Sequence, residues 1–146
     1  MAHDNLRDCL AVLEQRGLVR RVRDEVDPEW EIGCLVKWGF QALPEPDRFG
    51  LLFDKVKGSP FPMATGALGA SVEAYATALG IDPGDINAKW EHALVNPVAP
   101  RAVETGACQE VVLEGGKADL GILPVPVWTP GKDAGRYVTE IGRAHV

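Results

Sequence analysis

No stretch of this 146-residue chain approaches the ~20 consecutive apolar residues that a membrane span requires. Its start, MAHDNLRDCLAVL, lacks a basic segment followed by a long apolar one, so neither a secretory leader nor a membrane partner is expected. Cysteine is scarce and scattered. Cys9, Cys34 and Cys108 form no C-x-x-C pair and are odd in number, which argues against a disulfide framework or a zinc knuckle. They read as reduced core thiols of a cytoplasmic protein. Basic clusters are missing beyond Arg20-Arg21. With 15 Lys+Arg against 21 Asp+Glu the net charge is -6, and a nucleic-acid partner is not expected. Only three histidines occur, His3, His92 and His145, with no H-x-x-x-H or H-E-x-x-H spacing. No self-contained catalytic metal site is therefore expected.

What is present is ordinary globular composition, 46% hydrophobic and 25% charged, long enough for one domain with a core. Asp4 or Asn5 can cap a first helix, LRDCLAVLEQRG, in which Leu6, Cys9, Leu10 and Leu13 share a face and Gly17 ends the run. LVRRVRDEV alternates without a purely apolar side and reads as a partly exposed strand. VDPEWEIGCLVKWGFQAL opens with a capping Asp27, a Pro28 suited to the first helical position, and Glu29 and Glu31 near the positive helix end. Its buried stripe is expected at Ile32, Leu35, Val36 and Phe40. PEPDRFG is a loop, LLFDKV a short apolar strand and KGSPFPMATG a connector. SVEAYATALG and DPGDINAKWEHAL read as helices, NPVAPRAVETGA as a linker, and CQEVVLEG as a strand. GGKADLGILPVPVW reads as a turn and a proline-limited extended segment. The order helix, strand, helix, strand, helix, helix, strand, loop, strand predicts a mixed α/β lobe: a small sheet flanked by helices.

Candidate chemistry is thin. TGALGAS, Thr65 to Ser71, could present backbone N–H groups to an anion at a helix start. It lacks the Lys-Ser/Thr ending of a phosphate loop, and a plain strand-to-helix connection is the simpler reading. The pairs Glu29/Glu31 and Asp82/Asp85 sit at helix starts, where negative charge is structural. Of the tryptophans, Trp30, Trp38 and Trp90 read as core or lobe-lobe contacts. Trp128 stands apart in a rigid Pro-x-Pro-x-Trp-x-Pro run. No complete reaction centre can be assembled, so no catalytic residue and no metal ligand is assigned.

Three blocks in one order resemble UbiD-like decarboxylases, the prenylated-flavin enzymes that act on aromatic and unsaturated carboxylic acids. They are LRDCLAVLEQRGLVRRVRDEVDPEWEIG, LLFDKVKGSPFPMATGALGASVEAYATALG and CQEVVLEGGKADLGILPVPVWTPGKDAGRYVT. The likeness runs from Leu6 to Thr139. Residues Gln41 to Arg48 make a longer, proline-bearing approach to the second block, and Thr65 replaces a polar residue that is often Asn. The resemblance implies an enzyme much longer than this chain. It implies a split-barrel flavin domain, prenylated FMN held with Mn2+ and K+, a small aromatic or unsaturated acid as substrate, and homodimers or hexamers. The family's catalytic Glu-Arg-Glu set and metal ligands match nothing in residues 1 to 146. Tyr137 and Thr139 could approach the cofactor pocket, though strand packing is the preferred reading for both.

The division expected is an N-terminal α/β lobe over 1–122, a connector and first strand of a truncated flavin-binding split-barrel domain over 123–139, and a non-native tail over 140–146. Ile141 to Val146 back-translate in one frame into the opening of a sequencing-library adapter, with Glu140 as a hybrid codon. On this reading the chain is an inactive fragment of a carboxy-lyase. The competing reading is a stand-alone, non-catalytic binding or assembly module. A severed lobe is expected to expose an apolar patch at Leu123, Val125, Val127 and Trp128.

Overall fold

The computed structural model describes residue 3 and residues 5–137. Helix α1, Leu6–Gln15, starts where Asn5 accepts the Asp8 N–H at 3.0 Å and ends before Gly17, whose φ of +74° only glycine adopts freely. It leads into β1, Val19–Val26. Helix α2, Glu31–Ala42, follows, then β2, Gly50–Val56, and β3, Met63–Thr65. Helix α3, Val72–Leu79, is capped by the Ser71 hydroxyl and closed by left-handed Gly80. Helix α4 spans Ile86–Val95. Residues 96–106 carry no regular structure, and short 3-10 turns follow at Ala107–Gln109, Gly115–Lys117 and Leu120–Ile122.

The sheet order is β1-β2-β3. β1 and β2 are parallel, Val19 opposite Gly50 and Val26 opposite Val56, with an irregularity between Val22 and Glu25. Parallel pairing needs a crossover, and α2 supplies it. β3 returns antiparallel, Met63 opposite Phe53. Successive β2 side chains therefore serve two cores. Leu52 packs with Cys9, Leu10, Leu13, Val19 and Ala74 beneath α1 and α3. Phe53 packs with Val26, Ile32 and Val56 beneath α2. Helices thus lie on both faces of a small sheet, the mixed α/β lobe expected. β1 forms one edge and exposes Arg20, Arg21, Arg23, Asp24 and Glu25.

Several local expectations change. Leu6 is 62% exposed because it precedes the first turn that meets the sheet, and Leu35 is 38% exposed because the sheet reaches only Ile32 and Val36. Helical hydrogen bonding in α2 begins at Glu31 rather than Pro28. Asp27 accepts the Glu29 N–H at 2.8 Å through its carboxylate, and its own N–H donates to the Glu31 carboxylate at 2.6 Å. This reciprocal pairing holds residues 28–30 as a turn. β3 lies inside the stretch read as a connector; its alternation is only three residues long. The strand expected in CQEVVLEG is absent. Val111 and Val112 are exposed, and among the described residues no strand lies beside them to accept the ladder. Tyr137 belongs to no strand, while Val138 and Thr139 lie outside the described residues.

Candidate functional site: a groove beside the third strand

The proline-bearing segment Leu123 to Trp128 is strapped across the α2 side of the lobe. The Ser59 hydroxyl donates to the Ile122 carbonyl at 2.6 Å, and the Val127 N–H donates to the Pro28 carbonyl at 2.8 Å. Gly33 lets the strap approach: a Cβ there would lie 3.0 Å from the carbonyl oxygens of both Val127 and Trp128. Pro124 and Pro126 stiffen the segment and remove two backbone donors.

Between this strap and β3 runs a groove of about 440 Å³, lined by Met63, Thr65, Leu123, Val125, Trp128 and Tyr137 among others. Its walls are apolar. Polar groups are few, chiefly the Thr65 and Tyr137 hydroxyls. The indole N–H of Trp128 is buried with no hydrogen-bond partner among the described residues, which costs about 1–3 kcal/mol. Tyr137 is 46% exposed at the mouth. Its approach is set by the loop before it, where the Asp133 carboxylate accepts the Thr129 N–H at 2.7 Å, and by the Arg136–Glu29 ion pair. Glu29 adjoins Asp27, whose carboxyl is held below its ordinary range by the Glu29 backbone N–H first and by Lys57 at 3.1 Å next.

The other candidates fall into structural roles. At the TGALGAS helix start, Ser71 accepts the Ala74 N–H and the Glu45 carboxylate accepts the Val72 N–H. The anion seat is filled by the protein's own carboxylate. His92 sits on α4 with Asn96, remote from the groove, and His3 lies near the Thr77 carbonyl. His145 lies outside the described residues. Cys9 is buried, and burial pushes its thiol pKa up; Cys34 and Cys108 are exposed, which corrects their reading as core thiols. Trp30, Trp38 and Trp90 are half-exposed, which overturns a core position for them but not a contact with another lobe. Trp90 uses its indole N–H to bond the Tyr75 hydroxyl. The apolar patch expected at 123–128 is partly covered by α2 and β3. Greater exposure falls upstream, on Val95, Val98, Val111 and Leu120.

Sequence reasoning missed Met63, Gly33 and the Glu29–Arg136 pair. Gly33 lies in an ordinary helical run, and a salt bridge spanning 107 residues leaves no local trace. Tested against a flavin phosphate and its metal, the described residues do not fit. No group of three or more His, Cys, Asp or Glu converges among them, and no cation faces the groove unpaired. The groove is apolar and offers a charged tail no partner among the described residues.

Comparison with known proteins gives a consistent picture. The model of the 3-octaprenyl-4-hydroxybenzoate carboxy-lyase N-terminal domain, UbiD_N, matches residues 10–94. An uncharacterised protein of Synechocystis sp. is 35% identical over 95% of this chain and 31% of its own length. An evolved dimeric form of the UbiD-class enzyme HmfF from Pelotomaculum thermopropionicum, solved with prFMN, is 35% identical with a TM-score of 0.71. That likeness covers 86% of this chain and 28% of HmfF. The open form of vanillic acid decarboxylase from Sedimentibacter hydroxybenzoicus is 28% identical with a TM-score of 0.79, over 93% of this chain and 30% of that one. The chain therefore spans under a third of the length of these relatives. No described helix is long and apolar enough to cross a membrane.

Proposed function

The chain belongs to the UbiD N-terminal domain family, and from that premise we propose that it is the amino-terminal lobe of a carboxy-lyase that uses prenylated FMN on aromatic or α,β-unsaturated carboxylic acids. The observation that carries this reading is the reach of the likeness. It extends over 93% of the chain, well past the 10–94 core and toward the strap that builds the groove. The lobe's own contribution is the apolar wall between β3 and the strap, with Tyr137 at its mouth. Thr139, which lies outside the described residues, would follow Tyr137 toward the cofactor. On this reading the flavin phosphate, with Mn2+ and K+, would sit in a flavin domain outside these residues. No catalytic step is assigned to this lobe, which on this reading is inactive alone. The complete enzyme is a cytoplasmic homodimer or hexamer.

Two measurements test the reading. Titrating the 146-residue chain with FMN and Mn2+ should leave flavin fluorescence unchanged, and no CO2 should leave an aromatic acid incubated with the chain. A chimera carrying residues 10–137 in place of the matching lobe of the Pelotomaculum enzyme should release CO2 from that enzyme's own substrate once loaded with prenylated FMN. A folded, flavin-loaded chimera without activity would refute the assignment, as would CO2 released by the 146-residue chain by itself.

A further inference from the structure

A second cleft, of about 490 Å³, opens where β1 and β2 begin and α2 ends, and it shares no residue with the groove. Arg20 and Arg48 both line it. Each guanidinium is oriented from one side only. Arg20 lies 3.7 Å over the Phe49 ring, and Arg48 donates its Nε to the Leu43 carbonyl at 3.1 Å with the Phe40 ring 5.9 Å away. Neither has a carboxylate within ion-pair distance among the described residues, although the chain carries a net charge of -6. Arg7, Arg23 and Arg101 are likewise without an ion pair among the described residues, while two other arginines are tightly held. Arg21 forks onto Glu14 at 2.8 and 2.7 Å and reaches Asp54 at 2.6 Å, and Arg136 meets Glu29. The remaining charges of the cleft are Arg16, already engaged by Thr77 and Glu73, and Asp47 on the rim. Trp38, 55% exposed, stands at the same opening.

A guanidinium held flat on a ring keeps its N–H edge free and loses little freedom when it forks onto an oxyanion. Arg20 on the Phe49 ring, Arg48 fixed through its Nε with its two terminal nitrogens left over, and an exposed indole at one opening together suit a flat anion. We propose that this cleft binds an oxyanion borne on a planar ring: Arg20 and Arg48 take the anion and Trp38 stacks on the ring. Two sources share that chemistry, an aryl carboxylate and a nucleotide phosphate. The site is independent of the decarboxylase reading, since binding here needs neither flavin nor turnover.

The test is a titration of the 146-residue chain with benzoate, with adenosine monophosphate and with inorganic phosphate, each to about 20 mM, a range that reads weak sites. The Trp38 indole N–H is followed by NMR and assigned by its loss in Trp38→Phe. At least one ring-bearing anion should shift it saturably, more tightly than inorganic phosphate. The stronger of benzoate and the nucleotide identifies the source. Arg20→Gln and Arg48→Gln should each weaken binding about tenfold. Arg48→Lys, which keeps the charge and loses the fork, should fall between. Unchanged far-UV circular dichroism should confirm that the variants fold. The proposal is overturned if no anion shifts Trp38, if inorganic phosphate binds as well as the ring-bearing anions, or if the glutamine variants bind as the parent does.

Discussion

Replacing Gly33 by alanine sets two effects on one helix against each other. In a helix interior, Ala is favoured over Gly by about 1 kcal/mol. At position 33, however, the new methyl would sit 3.0 Å from two backbone carbonyl oxygens of the strap, closer than ordinary packing allows. Relieving it means pushing residues 127 and 128 outward, which strains the Val127–Pro28 hydrogen bond of 2.8 Å. Overpacking of this kind costs about 2 kcal/mol, so the net is a loss of about 1 kcal/mol. Gly39 lies on the same helix, and a Cβ there meets no atom within 4 Å. Gly39→Ala should therefore show the helical gain alone, about 1 kcal/mol. The two variants should differ by about 2 kcal/mol, or about 4–8 °C in Tm for a chain of this size. Thermal and urea denaturation of the pair, read by far-UV circular dichroism, measures it. If Gly33→Ala stabilises as much as Gly39→Ala, the strap does not rest on α2 and the groove is not formed as described.

Gly50→Ala should be the more damaging glycine change, by about 3 kcal/mol in urea denaturation. Its Cβ would come 2.6 Å from the Ala67 Cα, backbone that cannot rotate away. Ser71→Ala should cost about 1 kcal/mol in urea denaturation through loss of the cap on the Ala74 N–H. Asp27 supplies a pH dependence. Its carboxyl is depressed in the folded chain, so its stabilising effect is complete above the ordinary carboxylate range and is lost as pH falls through the lower folded value. Asp27→Asn should flatten the fall in Tm below about pH 4 while lowering Tm at neutral pH. An unchanged acid limb would show that the Glu29 and Lys57 contacts are not maintained in solution.

What the sequence disclosed follows from how local each signal is. The Asn5 and Ser71 caps, Gly17 and Gly80 as terminators, and the β2 run are written within a few residues of where they act, and each stands where expected. β3 escaped notice because three residues carry no readable period and its existence depends on Leu51 to Phe53 opposite. The strand expected at CQEVVLEG had propensity without a neighbour, and propensity alone does not hold a strand. At the groove, Trp128 stood out from its proline context and Tyr137 from the family resemblance. Gly33 and Glu29, which fix the strap and its loop, are contacts between residues about a hundred positions apart. Nothing in a linear pattern marks such partners.

The charged β1 edge has a consequence for how the lobe comes to be made. All three strands lie within residues 19–65, so the sheet can close while later parts of the polypeptide are still emerging. An uncovered sheet margin at that moment would recruit the same margin of a neighbouring nascent molecule. Docking another backbone along β1 would strip water from Arg20, Arg23, Asp24 and Glu25 without offering them partners. The strand that looked least decisive in composition, neither apolar nor polar on either side, thus guards one of the two margins of the sheet.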